Sequence, residues 1–281
     1  MTNEYGNELL HKVLLSAMKD IDKICRENGL KYFIFAGTLL GAINYKGFIP
    51  WDDDVDICMP QQDYNKLVAI LEKEYSDKYF VKTFDNTPSN FSKLTKIQIK
   101  GAIAVYSSER REEIFIDLSV LHCAPDGKIA RRIQRFQLEF WDLVLSTKSK
   151  SITPTSLASK IILTPLSHLS KAFIGRRIDS IMHRYDNRVT EYYALMINMY
   201  PSPWNGLNGY LNDFVLREIC IDPQYLEFED TYFMAFSDPD RDLIQRFGKD
   251  YRKPYPEEKR RSNHGIVNYE LSDDLKNLLE L

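Results

Sequence analysis

Cysteine is scarce: Cys25, Cys58, Cys123 and Cys220 are the four in 281 residues, and no two share a Cys-x-x-Cys spacing. That pattern leaves no disulfide framework and no zinc ribbon, and buried free thiols are the expectation. No apolar run approaches the roughly 20 residues a bilayer-spanning helix needs. The start, Met1-Thr2-Asn3-Glu4-Tyr5, has neither a basic flank nor an apolar core, so secretion is not expected and a cytoplasmic location is. Internal repeats and low-complexity linkers are lacking too. Net charge is only −3 and no nucleic-acid-binding motif is present, so a nucleic-acid partner is not expected. With 44% hydrophobic content, the chain can bury the core of one large domain or of a domain with a sizeable insertion.

What is present is an unusual concentration of acid. Trp51-Asp52-Asp53-Asp54-Val55-Asp56-Ile57 sets four carboxylates inside five residues and then runs into an apolar segment. In a strand, the period of two puts Asp54 and Asp56 on one face and Val55 and Ile57 on the other. Carboxylates at that spacing repel each other and raise each other's pKa unless a hard cation neutralises them. Such a pair suits magnesium held against a phosphate. A calcium loop fits poorly, because its glycine and distal glutamate are missing.

Upstream, Lys31-Tyr32-Phe33-Ile34-Phe35 reads as a short buried strand ending in Ala36-Gly37-Thr38. A glycine and a hydroxyl residue at a strand-to-helix junction let backbone amides approach a phosphate, with Thr38 available as cap or ligand. Downstream, Asp117 is alone in the apolar run Ile114-Phe115-Ile116-Asp117-Leu118-Ser119-Val120, which is costly unless a charge or a hydrogen bond meets it.

The order strand, Gly-Thr, helix, Asp-x-Asp strand and distant Asp strand is the signature of the nucleotidyltransferase superfamily to which DNA polymerase beta belongs. Gly37-Thr38-Leu39-Leu40-Gly41-Ala42, followed by Lys46-Gly47-Phe48-Ile49-Pro50-Trp51-Asp52-Asp53-Asp54-Val55-Asp56-Ile57, closely resembles the LicD family of bacterial phosphocholine transferases, related to the fukutin group. The likeness continues through Met59, Asp63-Tyr64, Phe115-Ile116-Asp117-Leu118, Phe228-Glu229-Asp230-Thr231, Phe247-Gly248-Lys249-Asp250-Tyr251, and Pro254 to Arg260 with His264. Two departures stand out. Asn44-Tyr45 replaces a common basic residue, and Ala102 stands where a threonine is frequent.

The resemblance implies a metal-dependent transferase that moves a phospho-alcohol, with phosphocholine the first choice, from a CDP-activated donor to a sugar hydroxyl of a cell-surface glycan. Teichoic acid, capsule and lipopolysaccharide are the acceptor classes, free or lipid-linked. CDP-choline is the favoured donor, with CDP-glycerol, CDP-ribitol and CDP-ethanolamine as alternatives, and CMP is released. Asp54, Asp56 and Asp117 would hold Mg²⁺ or Mn²⁺, with Asp117 also serving as base toward the acceptor. Gly37 and Thr38 would cradle phosphate, and Lys96, with Lys93 and Lys100, would neutralise the leaving group. His264 would contact substrate. A choline cation would favour an aromatic cage, for which Trp51, Tyr45 and Trp204 are candidates. Two other readings remain open: a nucleotidyltransferase that releases pyrophosphate from an NTP, and an inactive scaffold that binds glycan or membrane.

The fold expected is α/β (α+β): a nucleotidyltransferase-type mixed sheet with a mostly helical C-terminal half. The catalytic core is placed at 1–125, and a helical, partly basic region completing the site at 126–281. Leu10, Val13, Leu14, Ala17, Met18, Ile21 and Ile24 form one apolar stripe, predicting an amphipathic N-terminal helix. Strand 32–36, helix 38–44, strand 54–59 and a helix carrying Tyr64, Leu67, Val68 and Leu71 follow. Strands are expected near 79–84, 94–99, 102–106 and 113–120, and helical pattern from Ile129 to about Met199. The last helices are predicted at 238–247 and 271–280.

Charge is uneven. Between Asp126 and Arg188, twelve Lys/Arg face five Asp/Glu, a net +7, leaving the remainder near −10. There Leu157, Ile161, Ile162, Leu166, Leu169 and Phe173 recur at helical spacing among Lys160, Lys171, Arg176 and Arg177, with Pro165 expected to break or kink the helix. A basic amphipathic segment lies well on an anionic membrane, here its inner face, while core packing is the competing explanation.

Overall fold

The structure, a computed structural model, describes residues 5–195, 214–260 and 265–280. It is an α/β fold with a mixed sheet, as the pattern predicts. The described residues group into two compact units interleaved in sequence: 1–82 with 95–120 and 219–281, and 83–94 with 121–218.

In the first unit, α1 (Glu8–Glu27) buries the predicted stripe from Leu10 to Ile24. β1 (Phe33–Ile34), α2 (Ala36–Tyr45), β2 (Asp56–Pro60) and α3 (Gln61–Glu74) follow, then β3 (Tyr79–Lys82). The two strands expected at 94–99 and 102–106 are one, β4 (Thr95–Tyr106), whose register against its neighbour shifts between Gln98 and Ile103. Gly101 sits in that interval at φ +83°, a conformation that costs glycine little. The neighbour is β5 (Arg111–Ala124), and the sheet runs β1-β2-β5-β4-β10, with β10 at Ile266–Leu271 and β3 on β4.

The C-terminal part adds strands that its mixed composition hid. β8 (Gln224–Phe228) and β9 (Thr231–Ala235) form a hairpin, and β10 (Ile266–Leu271) pairs antiparallel with β4. Between them lies α7 (Pro239–Phe247), matching the helix expected at 238–247, and α8 (Asp273–Leu278) closes the chain. Ala102, one of the two departures from the family pattern, is fully buried opposite Leu271 of β10. Phe33 stacks on Phe236 at 4.7 Å, and the Tyr32 hydroxyl donates to Asp22 and accepts from the Met234 amide, tying α1, β1 and β9 together.

In the second unit, residues 122–124 of β5 pair with β6 (Tyr192–Ala194), which pairs with β7 (Phe214–Leu216). The helices are α4 (Lys128–Lys148), α5 (Leu157–Ser167) and α6 (Lys171–Met182). Their core gathers Leu138, Val144, Leu145, Leu163, Ile174 and Ile178 around Phe84. Pro165 does not break α5: it lies two residues before the helix ends, where its missing amide forfeits one bond only. The expected apolar run is divided instead at Ser170, which caps α6 by accepting from the Phe173 amide. The buried member of α5 is Leu163, whereas Leu157, Ile161 and Ile162 are 75%, 64% and 52% exposed. All four cysteines are free and buried.

Candidate active site

The acidic run folds as its alternation dictates. Val55 and Ile57 are fully buried, while Asp54 and Asp56 stand partly exposed on the opposite face. Asp117, with sixty residues between it and Asp56, is brought alongside: its amide donates to the Val55 carbonyl at 2.9 Å, so the β5 acid lies beside the residue flanked by the pair. Burial first, then the charges of Asp54, Asp117 and Asp52, push the Asp56 carboxyl well above the usual carboxylate range. The conflict foreseen between like charges is thus present, and Asp117 and Asp52 share it with the pair.

Thr38 and Gly37 both meet this loop. Thr38 is not the cap of α2, whose N-cap is Phe35; it lies in the first turn, and its Oγ1 accepts from the Asp56 amide at 2.8 Å. At Gly37 a methyl group would meet Asp52 Oδ2 at 2.8 Å, so a carboxylate already fills the space beside the glycine. The N-terminus of α2, where backbone amides favour negative charge, has an anion from its own chain.

Residues to which sequence reasoning gave no role hold the loop from behind. Asn7 Nδ2 donates to the Asp52 carbonyl at 3.0 Å, and His11 Nε2 lies 2.8 Å from the same oxygen while its ring stacks on Phe48 at 4.1 Å. Glu229, at the β8–β9 turn, accepts from the Phe48 amide at 3.0 Å, and its own amide donates to the Lys46 carbonyl at 2.7 Å. A cation whose charge reaches Asp56 is Arg246 of α7, paired with Asp242 at 2.9 Å, the two side chains only 7% and 1% exposed. Its charge opposes the rise of the Asp56 carboxyl. In sequence, Asp242 and Arg246 look like an ordinary surface pair four apart on a helix.

Of the lysines, Lys96 joins the site. It is directly opposite Asp117 in the β4–β5 register, and its Nζ lies 3.3 Å from the centre of the Phe115 ring. Burial lowers the Lys96 pKa, and the charges of Asp117 and Glu112 oppose that shift. Lys100 is exposed and donates to the Ser76 carbonyl at 2.6 Å. Lys93 belongs to the second unit, paired with Asp179 at 2.7 Å. Asp63 and Tyr64 serve the fold, accepting from the Lys31 amide and meeting Thr95 Oγ1.

Trp51 and Tyr45 do come together, their rings 5.9 Å apart and nearly perpendicular. Tyr255 and the Arg260 guanidinium also approach Trp51, at 6.1 and 5.4 Å. His264 and Trp204 lie outside the described residues.

Comparison with known proteins gives the chain relatives. Residues 29–156 match the family model described as LicD/FKTN/FKRP, nucleotidyltransferase domain, a span that contains Asp54, Asp56 and Asp117. The chain is 25% identical over 259 residues to the lipopolysaccharide cholinephosphotransferase LicD of Haemophilus influenzae, covering 90% of this chain and 93% of that protein. Shorter matches of 58 residues, at 45% and 46% identity, link it to uncharacterized proteins of Rickettsia prowazekii and Rickettsia typhi. They cover 21% of this chain and 22% and 19% of those proteins.

Proposed function

This chain belongs to the LicD family, and from that premise we propose that it transfers a phospho-alcohol from a CDP-activated donor to a sugar hydroxyl of a cell-surface glycan, releasing CMP. The observation that carries the reading is the convergence of Asp117 on the Asp54–Asp56 pair through the Asp117–Val55 backbone bond. Phosphocholine is the favoured group and lipopolysaccharide the favoured acceptor, because the Haemophilus relative matched along nearly its whole length is named for both.

Three carboxylates offering only hard oxygen donors, with one already raised by its neighbours, fit Mg²⁺ or Mn²⁺. Asp54, Asp56 and Asp117 would hold the ion, which when bound supplies neutralisation of phosphate charge. The remaining work falls to the chain. Asp117 takes the proton of the acceptor hydroxyl as its oxygen attacks the phosphorus bearing the alcohol, and the bond from that phosphorus to CMP breaks. Lys96, across the strand from Asp117, supplies positive charge toward the leaving phosphate. Thr38 and Gly37 shape the acidic loop, through the Asp56 amide and the Asp52 carboxylate.

No helix among the described residues is long and apolar enough to cross a membrane. Contact with the inner face of one is part of the proposal, carried by the exposed apolar residues of α4 and α5 and the basic excess around them. An inactive scaffold would have no use for three mutually repelling acids.

The test is product analysis: the protein is incubated with CDP-choline, CDP-ethanolamine, CDP-glycerol or CDP-ribitol and a lipopolysaccharide acceptor. CMP and phosphocholine-bearing glycan are expected from the first. Pyrophosphate formed from an NTP instead would assign nucleotidyl transfer, and CMP from another donor would reassign the alcohol.

A further inference from the structure

Beside the acidic loop, a cleft of about 360 Å³ is lined by the rings of Tyr5, Tyr45 and Trp51 and by Arg252, Lys253 and Arg260. Its volume is at the small end of ligand pockets, fitting a mononucleotide-sized group rather than an oligosaccharide. Among the described residues, three cations and no carboxylate line it. Their acidic partners, Asp240 for Arg252, Asp250 for Lys253 and Glu257 for Arg260, are more than half exposed and are not among the lining residues. Surface pairs of this kind hold their cations weakly.

This chemistry is wrong for choline. A quaternary ammonium needs aromatic faces without competing cations, and here the Arg260 guanidinium already sits 5.4 Å from the Trp51 ring centre. It is right for a group that is aromatic at one end and anionic at the other. Aromatic rings and a planar guanidinium accept a nucleobase, and Arg and Lys heads accept phosphate. Trp51 is bonded directly to Asp52, so the cleft lies next to the acidic run. Asn44 lines the same cleft and donates to the Tyr251 carbonyl at 3.0 Å.

We infer that the Trp51 cleft binds the nucleoside phosphate half of the donor, base against the aromatic rings and phosphate on Arg252, Lys253 and Arg260, and not the alcohol. Under the function proposed above, that half is the cytidine phosphate.

Calorimetric titration of the full chain in magnesium buffer with CMP, cytidine, UMP, AMP and choline tests this. CMP should bind more tightly than cytidine, and choline should neither bind in the cleft nor displace CMP. Trp51→Ala should weaken CMP and cytidine roughly tenfold or more, the scale of one stacked base. Arg260→Gln should weaken CMP while leaving cytidine nearly unchanged. Should Trp51→Ala fail to fold, Trp51→Phe, which keeps a ring, and Arg260→Gln carry the test, with partial and phosphate-selective losses expected. CMP affinity indifferent to both positions, choline binding that depends on Trp51, or no nucleotide binding to the wild type would overturn the assignment. Trp51-dependent binding of UMP or AMP with none of CMP would keep the cleft as a nucleotide site while refuting the CDP donor.

Discussion

Thr38 Oγ1 accepts a hydrogen bond from the Asp56 amide at 2.8 Å. The bond locks the first turn of α2 to the strand that carries the acidic pair, so the hydroxyl fixes where Asp56 points. Thr38→Val keeps the shape, removes the acceptor and leaves a partly buried amide unsatisfied, at a cost of about 1–2 kcal/mol. Turnover should fall at least tenfold with a smaller change in donor binding, and Thr38→Ser should restore most of it. Full activity in Thr38→Val would show that Asp56 is placed by other contacts.

Asp54→Asn and Asp56→Asn should lower turnover by orders of magnitude without unfolding the protein. Each removes a charge from a cluster whose members repel, so in EDTA the variants should melt at or above the wild-type temperature. Adding magnesium should raise the wild-type melting temperature and leave the variants nearly unmoved. Wild-type activity persisting in excess EDTA, or loss of activity traced to global unfolding, would remove the pair from the chemistry.

Glycine inside a helix is ordinarily about 1 kcal/mol worse than alanine, but Gly41 of α2 should behave oppositely. A methyl there would meet the Gly47 carbonyl oxygen at 2.5 Å, a backbone atom of the loop leading to the acidic run. That loop is itself pinned by Glu229. Gly41→Ala should therefore destabilise by roughly 1–3 kcal/mol and reduce turnover, measured by denaturant melts and by CMP release. A stabilised variant would mean the loop is free to move away.

The periodic parts of the chain announced themselves. The α1 stripe, the Val55/Ile57 alternation and the lone Asp117 each stated a face, and the fold put them there because burial of one face is what selects register. Pieces without periodicity did not. β10 alternates poorly because its side chains are mostly exposed or half-buried, so its place beside β4 was silent in the sequence. Arg246, His11 and Glu229 act across 190, 41 and 181 positions, on Asp56, Asp52 and Phe48, and no local pattern encodes such contacts. In the basic run after Asp126, Lys171 is spent on the backbone oxygens of Phe84 and Thr87.

In the second unit, Asp186 accepts from the Cys123 amide at 2.8 Å, and its carboxylate meets His122 and His183 Nδ1 at 3.2 and 2.8 Å. Burial alone would raise this carboxyl, but hydrogen bonds from the two histidines and the amide outweigh it and hold it well below the usual range. A depressed carboxyl contributes stability above the unfolded value near 3.9, and that contribution is lost as pH falls toward the folded value. Asp186→Asn should thus cost roughly 1.5–3 kcal/mol at pH 6, and the gap to wild type in urea melts should shrink steadily below pH 4. A gap independent of pH would make the effect steric.

On α4, Ile129, Ile133 and Phe136 fall at i, i+4 and i+7 and are 74%, 52% and 70% exposed, among the exposed cations Lys128 and Arg132. On α5, Leu157, Ile161 and Ile162 are equally open beside Lys160. Large side chains so exposed on helices with a basic surround match the interface of an anionic bilayer, where each cation adds about 1 kcal/mol and salt screens it. The protein should float with phosphatidylserine-containing vesicles at low salt and be released as salt rises. Ile161→Ser with Ile162→Ser should weaken binding at every salt concentration, whereas Arg132→Glu with Lys160→Glu should weaken it mainly at low salt. Lys171 is unsuitable for such a reversal, because its ammonium holds backbone oxygens of the 84–87 segment. None of these four residues lies in the acidic site, so CMP release with a short soluble acceptor should be unchanged while transfer to vesicle-embedded acceptor falls. Absence of vesicle binding at low salt, or variants that float like the wild type, would leave the two exposed stripes to some other partner.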